Sequence, residues 1–251
     1  MKWYAITMLL VSPAFLSAQK TLLIHEDLSS NAGKMKVKMG VQASKVWKLK
    51  FGEYAVTRTK GGWEKSSSKS NFFGTRSEST TTSKFSFDLV NAKKDVVNVN
   101  AQTNTFIKEK NAYQLFPNFG VGEDEVLQAD NNFTAFMHVN GDTSVIWALF
   151  LNVTTGTEAT NKTEGFLTNS QRKIAVSWVS SNEKEEKQGI PAMGYEFTEA
   201  GKPLSAVQYY GGGLLGMNKI FVWLHPNNDD QTKLILAGAM TAILQVRAGG
   251  P

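Results

Sequence analysis

Lysines alternate with apolar residues in two short stretches of this 251-residue chain. The first stretch is Lys34 to Met39, and the second is Val46 to Phe51. In a β-strand this spacing places the ammonium groups on one face and the apolar side chains on the other. A face of this kind attracts anionic groups such as lipid head groups or acidic glycans. The lysines of these stretches that we predict to contact an anionic ligand or a membrane are Lys36, Lys38, Lys48 and Lys50.

A second candidate contact lies in the Ser/Thr-rich segment 65–84, which is predicted to be a polar loop. Aromatic rings between cations can enter a membrane interface while the charges contact phosphate groups. The alternative is that the two rings pin a long loop to its own domain. The candidate contact residues of this segment are Lys65, Lys69, Phe72, Phe73 and Arg76.

The residue types that usually carry catalysis are sparse and scattered. There is no cysteine, which excludes disulfides, thiolate metal sites and cysteine nucleophiles. His25, His138 and His225 have none of the spacings that are typical of zinc sites. The acidic run 123–125 together with Asp130 leaves open a secreted hydrolase that uses carboxylates. We predict no cofactor, no metal site and no catalytic residue, and we favour a binding protein over an enzyme.

Charge is distributed unevenly along the chain. The whole chain has 27 Lys and Arg against 22 Asp and Glu, and residues 19–113 hold 17 of the basic and 8 of the acidic side chains. Either the basic half contacts an anionic surface, or the two halves neutralise each other within a closed fold. Nucleic acid is not a predicted partner, because no aromatic stacking motif is interleaved with the lysines.

The first 18 residues have the character of a signal peptide. Lys2 supplies the positive charge, a short apolar run follows, and Ala18 is the small residue at the expected cleavage point. The apolar run is shorter than the roughly 20 residues that cross a bilayer. No cysteine stands at the cleavage point, so a bacterial lipoprotein anchor is excluded. We therefore expect an exported protein, periplasmic or secreted, with no transmembrane segment after cleavage.

Most of the remaining chain alternates between polar and apolar residues, as half-buried antiparallel strands do. Ten to twelve strands are predicted without a convincing linker between them. This pattern favours a single β-rich domain that spans residues 19–251. The best-defined strands are 34–39, 46–51, 54–59, 85–90, 96–107, 133–139, 142–153, 173–180, 194–198, 205–210 and 219–225.

One hairpin is indicated by a specific turn signal. Asn140-Gly141 separates two apolar runs, and this pair suits the two positive φ angles of a type I′ turn. The second run, Val145 to Leu151, is apolar at every position. We therefore expect it to be covered on both faces.

A helix is predicted only at the C-terminus, over residues 229–246. Asn228 is the expected N-cap, with Gln231 three residues later, and Asp229 and Asp230 suit the positive end of the helix dipole. Within the run 234–244 only Thr241 is polar. A helix that is apolar all round is expected to be buried all round.

The last 60 residues resemble the end of the tubby-like superfamily, which includes LURP-one-related proteins and phospholipid scramblases. The resemblance rests on the stretches 195–197, 201–207 and 219–224, followed by Asp230 and the apolar helix. It implies a twelve-stranded barrel threaded by a hydrophobic C-terminal helix, and it favours lipid or membrane-surface contact. No calcium-binding segment or terminal anchor of the scramblase kind is present. No functional residue is therefore carried over from the family.

These observations predict a mainly β protein, an antiparallel barrel closed around the terminal helix, with a β-sandwich packed on that helix as the alternative. The predicted function is that of an exported, non-catalytic binding protein with an anionic lipid or glycan as its partner. A secreted hydrolase and a structural component of the cell envelope are the alternatives.

Overall fold

The computed structural model describes residues 21–43, 45–71, 75–111, 113–116, 119–121, 125–155, 162–182, 191–211 and 219–247. Fifteen strands and two helices lie within these ranges. In chain order they are α1 (Glu26–Asn31), β1 (Gly33–Lys36), β2 (Lys38–Ala43), β3 (Val46–Phe51), β4 (Tyr54–Ser70), β5 (Arg76–Val90), β6 (Val96–Lys110), β7 (Tyr113–Phe116), β8 (Phe119–Val121), β9 (Glu125–Val139), β10 (Trp147–Thr155), β11 (Lys162–Thr168), β12 (Lys173–Ser180), β13 (Met193–Glu199), β14 (Lys202–Tyr210), β15 (Phe221–Leu224) and α2 (Asp230–Arg247).

Thirteen of the strands form one antiparallel sheet that curls into a nearly closed barrel. The strand order is β1-β15-β14-β13-β12-β11-β10-β9-β6-β5-β4-β3-β2, and β7 and β8 form a separate pair. The two edge strands, β1 and β2, are consecutive in the chain and are separated only by Val37. Val37 is buried, and its N–H donates to the carbonyl of Ile220 at 3.0 Å. The segment 33–43 thus joins both edges of the sheet and removes most of its exposed edge.

The terminal helix α2 lies inside the curve of this sheet. Every residue from Leu234 to Leu244 is buried, and the helix contacts β3, β6, β9, β14 and β15, which come from separate parts of the barrel. The predicted barrel around a buried C-terminal helix is thereby confirmed. The sheet has one strand more than the ten to twelve that were expected.

Polar contacts hold both ends of α2. At the N-terminus, Asp229 is the N-cap, because its carboxylate accepts the N–H of Thr232 at 2.7 Å. The predicted cap at Asn228 is wrong, since that side chain donates to the carbonyl of Leu204 instead. At the other end, Gln245 accepts the N–H of Trp47 at 2.7 Å and donates to its carbonyl at 2.9 Å.

Close packing of the helix against the sheet depends on one glycine. A Cβ atom at Gly238 would lie 3.1 Å from a methyl group of Val97 and 3.4 Å from the sulfur of Met137. The helix therefore approaches β6 and β9 more closely than a larger residue would allow. This approach offsets the loss of roughly 1 kcal/mol in helix propensity that glycine brings.

Four long strands, β4, β5, β6 and β9, continue past the C-terminal end of the helix. We call the part of these strands that surrounds α2 the plugged half, and it comprises residues 54–60, 85–90, 96–101 and 133–139. We call the ends of these strands that are furthest from α2 the distal half, and it comprises residues 64–70, 76–83, 103–110 and 125–131. The prediction of a polar loop over 65–84 is wrong, because all of its described residues but Asn71 and Thr75 are in β4 or β5.

The Asn140-Gly141 turn is present but does not lead directly into a strand. Both residues have positive φ, 51° and 76°, and the N–H of Asp142 donates to the carbonyl of Val139. The carboxylate of Asp142 then accepts the N–H of Ser144 at 2.8 Å, which turns the chain away from the ladder. Strand β10 therefore starts only at Trp147. The expectation that 145–151 is covered on both faces is wrong, since Val145 and Ile146 are exposed.

A short N-terminal segment packs on the outside of the barrel. This strap, residues 22–32, includes α1 and buries Leu22 and Leu28 against Ala206 and Trp223. It forms a second, smaller apolar cluster, which is separate from the core around α2. The outer face of β13, β14 and β15 is thus covered by protein rather than by solvent.

Candidate functional site

The alternating lysines lie together on the outside of the barrel, where its edges meet. Val37, Val46, Leu49 and Phe51 point into the core, and the lysines between them are exposed. Lys38 lies directly opposite Lys50 in the β2–β3 ladder. We call the exposed lysines on β1, β2 and β3 the lysine face, and they are Lys34, Lys36, Lys38, Lys48 and Lys50.

The lysine face has no compensating negative charge in its own strands. Strands β1, β2, β3 and β15 contain no Asp or Glu. Within the described residues, no ion pair involves any of the five lysines. Like charges directly opposite in a ladder, as at Lys38 and Lys50, repel each other. The arrangement therefore costs some stability and creates a positive potential, as a face for binding anions would.

Lys34 differs from the other lysines of this face because it is held against aromatic rings. Its ammonium nitrogen lies 3.9 Å from the ring centre of Phe221 and 5.5 Å from that of Trp223. Partial burial lowers the pKa of Lys34, and the nearby charge of Lys219 lowers it further. Lys34 thus anchors one border of the face, while the other four lysines extend into solvent.

The second predicted group lies on the outer face of the distal half. Lys65 is opposite Thr82, Lys69 is opposite Glu78, and Arg76 is opposite Lys110. Phe72 and Phe73 lie outside the described residues. Just beside them, the Asn71 side chain donates to the Thr75 hydroxyl at 2.8 Å and accepts the Arg76 N–H at 3.1 Å. These bonds join the ends of β4 and β5.

The structure does not merge the two predicted groups into one site. Lys50 lies opposite Ala55 at the start of β4, and Lys65 is ten residues further along the same strand, roughly 30 Å away. Arg58 and Lys60 occupy the outer face between them, and neither was among the predicted contacts, nor was Lys34. The period-two spacing of Arg58 and Lys60 was the signal that could have identified them.

Among the carboxylates and histidines of the described residues, Asp88 and His138 line one surface pocket, where Asp88 accepts a hydrogen bond from Asn98 at 2.8 Å, whereas Glu196 and His225 are covered. Glu196 is 8% exposed and accepts the N–H of His25 at 3.1 Å beneath the strap. His225, also buried, lies 3.4 Å from Asp27 of the same strap. Burial raises the pKa of Glu196, and the bond from His25 partly opposes this. The strap covers Glu196 and His225, so they hold the N-terminal segment rather than face a substrate.

Of the acidic residues that left a hydrolase open, Glu125 and Asp130 are described, and they lie five residues apart on β9. Residues 123 and 124 lie outside the described ranges. Glu125 lies opposite Lys110, and Asp130 accepts a hydrogen bond from Gln128 at 2.7 Å. In the described ranges, no three His, Asp or Glu side chains converge closely enough to hold a metal ion.

Neither helix in the described part of the chain combines the length and apolar composition that are needed to cross a bilayer. Comparison with known proteins gave no match, since no family model, curated protein or solved structure shows significant similarity to this chain.

Proposed function

We propose that the protein is an exported binding protein and that the lysine face contacts an anionic membrane surface. The observation that carries this proposal is the position of Lys36, Lys38, Lys48 and Lys50 side by side on three strands without a carboxylate. A protein surface that contacts only solvent normally carries both signs of charge. A face of one sign is instead suited to a partner of the opposite sign.

Physical chemistry specifies how such contact must behave. Each lysine close to an anionic membrane contributes about 1 kcal/mol, and this attraction decays within a Debye length. Binding through the lysine face must therefore weaken steeply as salt is added. It must also require anionic lipid, because the exposed ammonium groups have no comparable attraction to a zwitterionic surface.

Vesicle sedimentation tests this proposal. We expect the protein to sediment with phosphatidylcholine vesicles that contain phosphatidylglycerol, and to stay in solution with phosphatidylcholine alone. Sedimentation should fall when salt is raised from about 0.05 M to about 0.5 M. The variant in which Lys36, Lys38, Lys48 and Lys50 are all changed to Gln should lose most of the binding.

The distal half provides the matched control. A variant with Lys65, Lys69 and Arg76 changed to Gln removes a similar charge from another part of the same outer surface. The proposal predicts that this variant still sediments. If it loses binding and the lysine-face variant does not, the lysine face is not the contact.

Insertion of Phe72 and Phe73, the second candidate contact, is an alternative to binding through the lysine face. The described residues on either side, Asn71 and Thr75, are joined by a hydrogen bond between the ends of β4 and β5. Changing Phe72 and Phe73 to Ser should weaken vesicle binding if these rings enter the interface. Unchanged binding would remove them from the proposed contact.

We further propose that residues 1–18 are removed on export and that the protein is related to the tubby-like superfamily. A barrel around an apolar C-terminal helix supports the relationship at the level of architecture. N-terminal sequencing of the mature protein tests the cleavage after Ala18. A mature chain that retains Met1 would contradict it.

A further inference from the structure

Three phenylalanine rings form a ridge on the outer face of β9, β10 and β11. The ring centres of Phe136 and Phe150 are 6.4 Å apart in an edge-to-face arrangement, and those of Phe150 and Phe166 are 4.9 Å apart. Phe136 is 49% exposed, and the other two are half-buried. The core of the barrel lies on the opposite face of these strands. The ridge therefore stabilises no core, and it presents apolar ring surface to solvent.

Amide and hydroxyl side chains lie beside the ridge in register. Asn100 is opposite Phe136, and Thr134 is opposite both Phe150 and Gln102. Asn132 is one position further along β9 on the same face, opposite Asn104 and Asn152. Amide groups donate and accept hydrogen bonds at the same time. The outer face thus pairs apolar ring surface with groups that can bind hydroxyls.

Two surface grooves on the outside of the barrel are lined by these aromatic rings, amides and hydroxyls. The first, of about 680 Å³, runs along Phe150 and Phe166 to Lys173. The second, of about 710 Å³, lies between Phe136 and Trp63, whose ring is 80% exposed. Both grooves include Thr134, so they meet. Together they cross the eight strands from β4 to β13 in the sheet order, a span of roughly 34 Å at ~4.8 Å per strand.

The charged side chains that line these grooves have one sign. They are Lys60 and Lys84 in the second groove and Lys173 in the first. Among the described residues, no carboxylate lines either groove, and none of the three lysines is in an ion pair. Lys173 lies 4.9 Å from the ring centre of Phe166. A ligand that fits both grooves is therefore elongated and negatively charged.

We propose that the two grooves bind a segment of an acidic polysaccharide. The C–H face of a sugar ring packs on aromatic rings, its hydroxyls bond to amides, and the carboxylate of a uronic acid pairs with lysine. In the grooves, Phe150 and Phe166 supply the ring surface for the sugar. Asn100 and Asn132 supply the amides for its hydroxyls. Lys84 and Lys173 supply the positive charge for its carboxylates. A lipid surface suits this region less well, because amide and hydroxyl side chains lie between the rings. The site is independent of the lysine face, since it lies on other strands.

Affinity gel electrophoresis with polygalacturonate tests the proposal, with dextran as the uncharged polymer. We expect polygalacturonate to retard the protein and dextran to have little effect. The double variant F136A/F166A and the double variant K84Q/K173Q should each bind polygalacturonate at least about tenfold more weakly, which corresponds to about 1.4 kcal/mol. Thermal melting should show that each variant is folded, because all four side chains lie outside the core.

Two controls make the result specific. Trp178→Ala removes another exposed ring, and Lys94→Gln removes an exposed charge from a turn, and neither residue lines a groove. Both should keep the affinity of the parent protein. The lysine-face variant described above should lose vesicle binding and keep polygalacturonate binding.

Several outcomes would overturn the proposal. The parent protein would fail to bind polygalacturonate, or would bind dextran equally well, or the groove variants would bind as the parent does. Loss of vesicle binding in F136A/F166A with unchanged polygalacturonate binding would assign this face to a membrane instead. A failure of the lysine face alone leaves the polysaccharide result intact, so the two proposals are distinguishable.

Discussion

The plugged half and the distal half are built from the same four strands, yet their inner faces have opposite character. In the plugged half, Phe87, Leu89, Val97 and Val99 are buried against the helix. In the distal half the inward positions of β5 are serines and a threonine, and they are only half-buried. The change occurs where α2 ends, near Phe133 and Leu151, which lie close to Val246. On β5, hydroxyl side chains thus replace apolar ones where there is no longer a helix for them to contact.

The distal half shows that strand pairing continues without an apolar core. The β5–β6 ladder is unbroken from Arg76 to Val90, and hydroxyl contacts replace packing on the inner face. Ser66 and Thr81 lie 3.0 Å apart through their oxygens, and Ser77 donates to Glu109 at 3.3 Å. Cross-strand pairs of this kind contribute only roughly 0.2–1 kcal/mol each. The distal half is therefore expected to depend on the plugged half for its stability.

The strongest test of this difference places the same charge in the helix that fills the plugged half and in the distal half. Ala242→Arg puts a guanidinium among fully buried residues of α2, at a cost of several kcal/mol against a total stability of about 5–15 kcal/mol. We expect this variant not to fold, as judged by circular dichroism and thermal melting, and the same holds for Ala239→Arg. Ser79→Arg, on the inner face of the distal half, should melt cooperatively near the temperature of the parent protein. A soluble, cooperatively melting Ala242→Arg variant would contradict the burial of the helix.

An effect of intermediate size is expected from Glu196, which lies on the outer face of the barrel beneath the strap. Because burial raises the pKa of Glu196 above its ordinary value of 4.5, the folded state binds its proton more tightly than the unfolded state. The protonated Glu196 therefore contributes its full stabilisation of the folded state below about pH 4.5, and this stabilisation is lost as the pH rises through the folded pKa. Glu196→Gln stays neutral and still accepts the N–H of His25. We therefore expect it to increase the free energy of unfolding at about pH 8 but not at about pH 4.

Glu199 supplies the control for that measurement, because its pKa is shifted in the opposite direction to that of Glu196. Two hydrogen bonds from Arg172, at 2.9 and 2.7 Å, lower the pKa of Glu199 despite its partial burial. The ionised Glu199 therefore stabilises the folded state at pH values above its ordinary pKa of 4.5, and this stabilisation is lost as the pH falls through the folded pKa. Glu199→Gln should therefore destabilise the protein at neutral pH. Equal effects of the two substitutions would show that the strap does not desolvate Glu196.

The smallest expected effect concerns one hydroxyl in each half. The hydroxyl of Thr241 is buried in α2 and has no hydrogen-bond partner among the described residues. Thr241→Val keeps the shape and removes the desolvated group, so we expect the free energy of unfolding in urea to rise by about 1 kcal/mol. Thr105→Val in the distal half should change it by less than about 0.5 kcal/mol. A destabilised Thr241→Val variant would indicate that this hydroxyl is bonded.

The strands around the helix were predictable because their side chains alternate with a period of two, and the helix was predictable because capping residues precede an unbroken apolar run. The predicted helix 229–246 differs from α2 by one residue at each end, and the predicted strands 46–51 and 173–180 coincide with β3 and β12. Residues 65–84 of the distal half were predicted as a loop because Ser and Thr have no apolar alternation that marks a strand. Its strands exist because neighbouring strands supply the hydrogen-bond partners, which a local pattern does not contain.

The sequence by itself determined which side chains share a face of a strand, because successive residues point to opposite sides. It therefore determined that the lysines of 34–39 and 46–51 are exposed and that the terminal helix is buried. Only the tertiary structure decided which strands are neighbours, and so which faces combine. The pairing of Lys38 with Lys50 and the ridge of Phe136, Phe150 and Phe166 depend on register between strands up to thirty residues apart. Register is a property of the closed sheet, since it is set by the fit of all its strands around the helix.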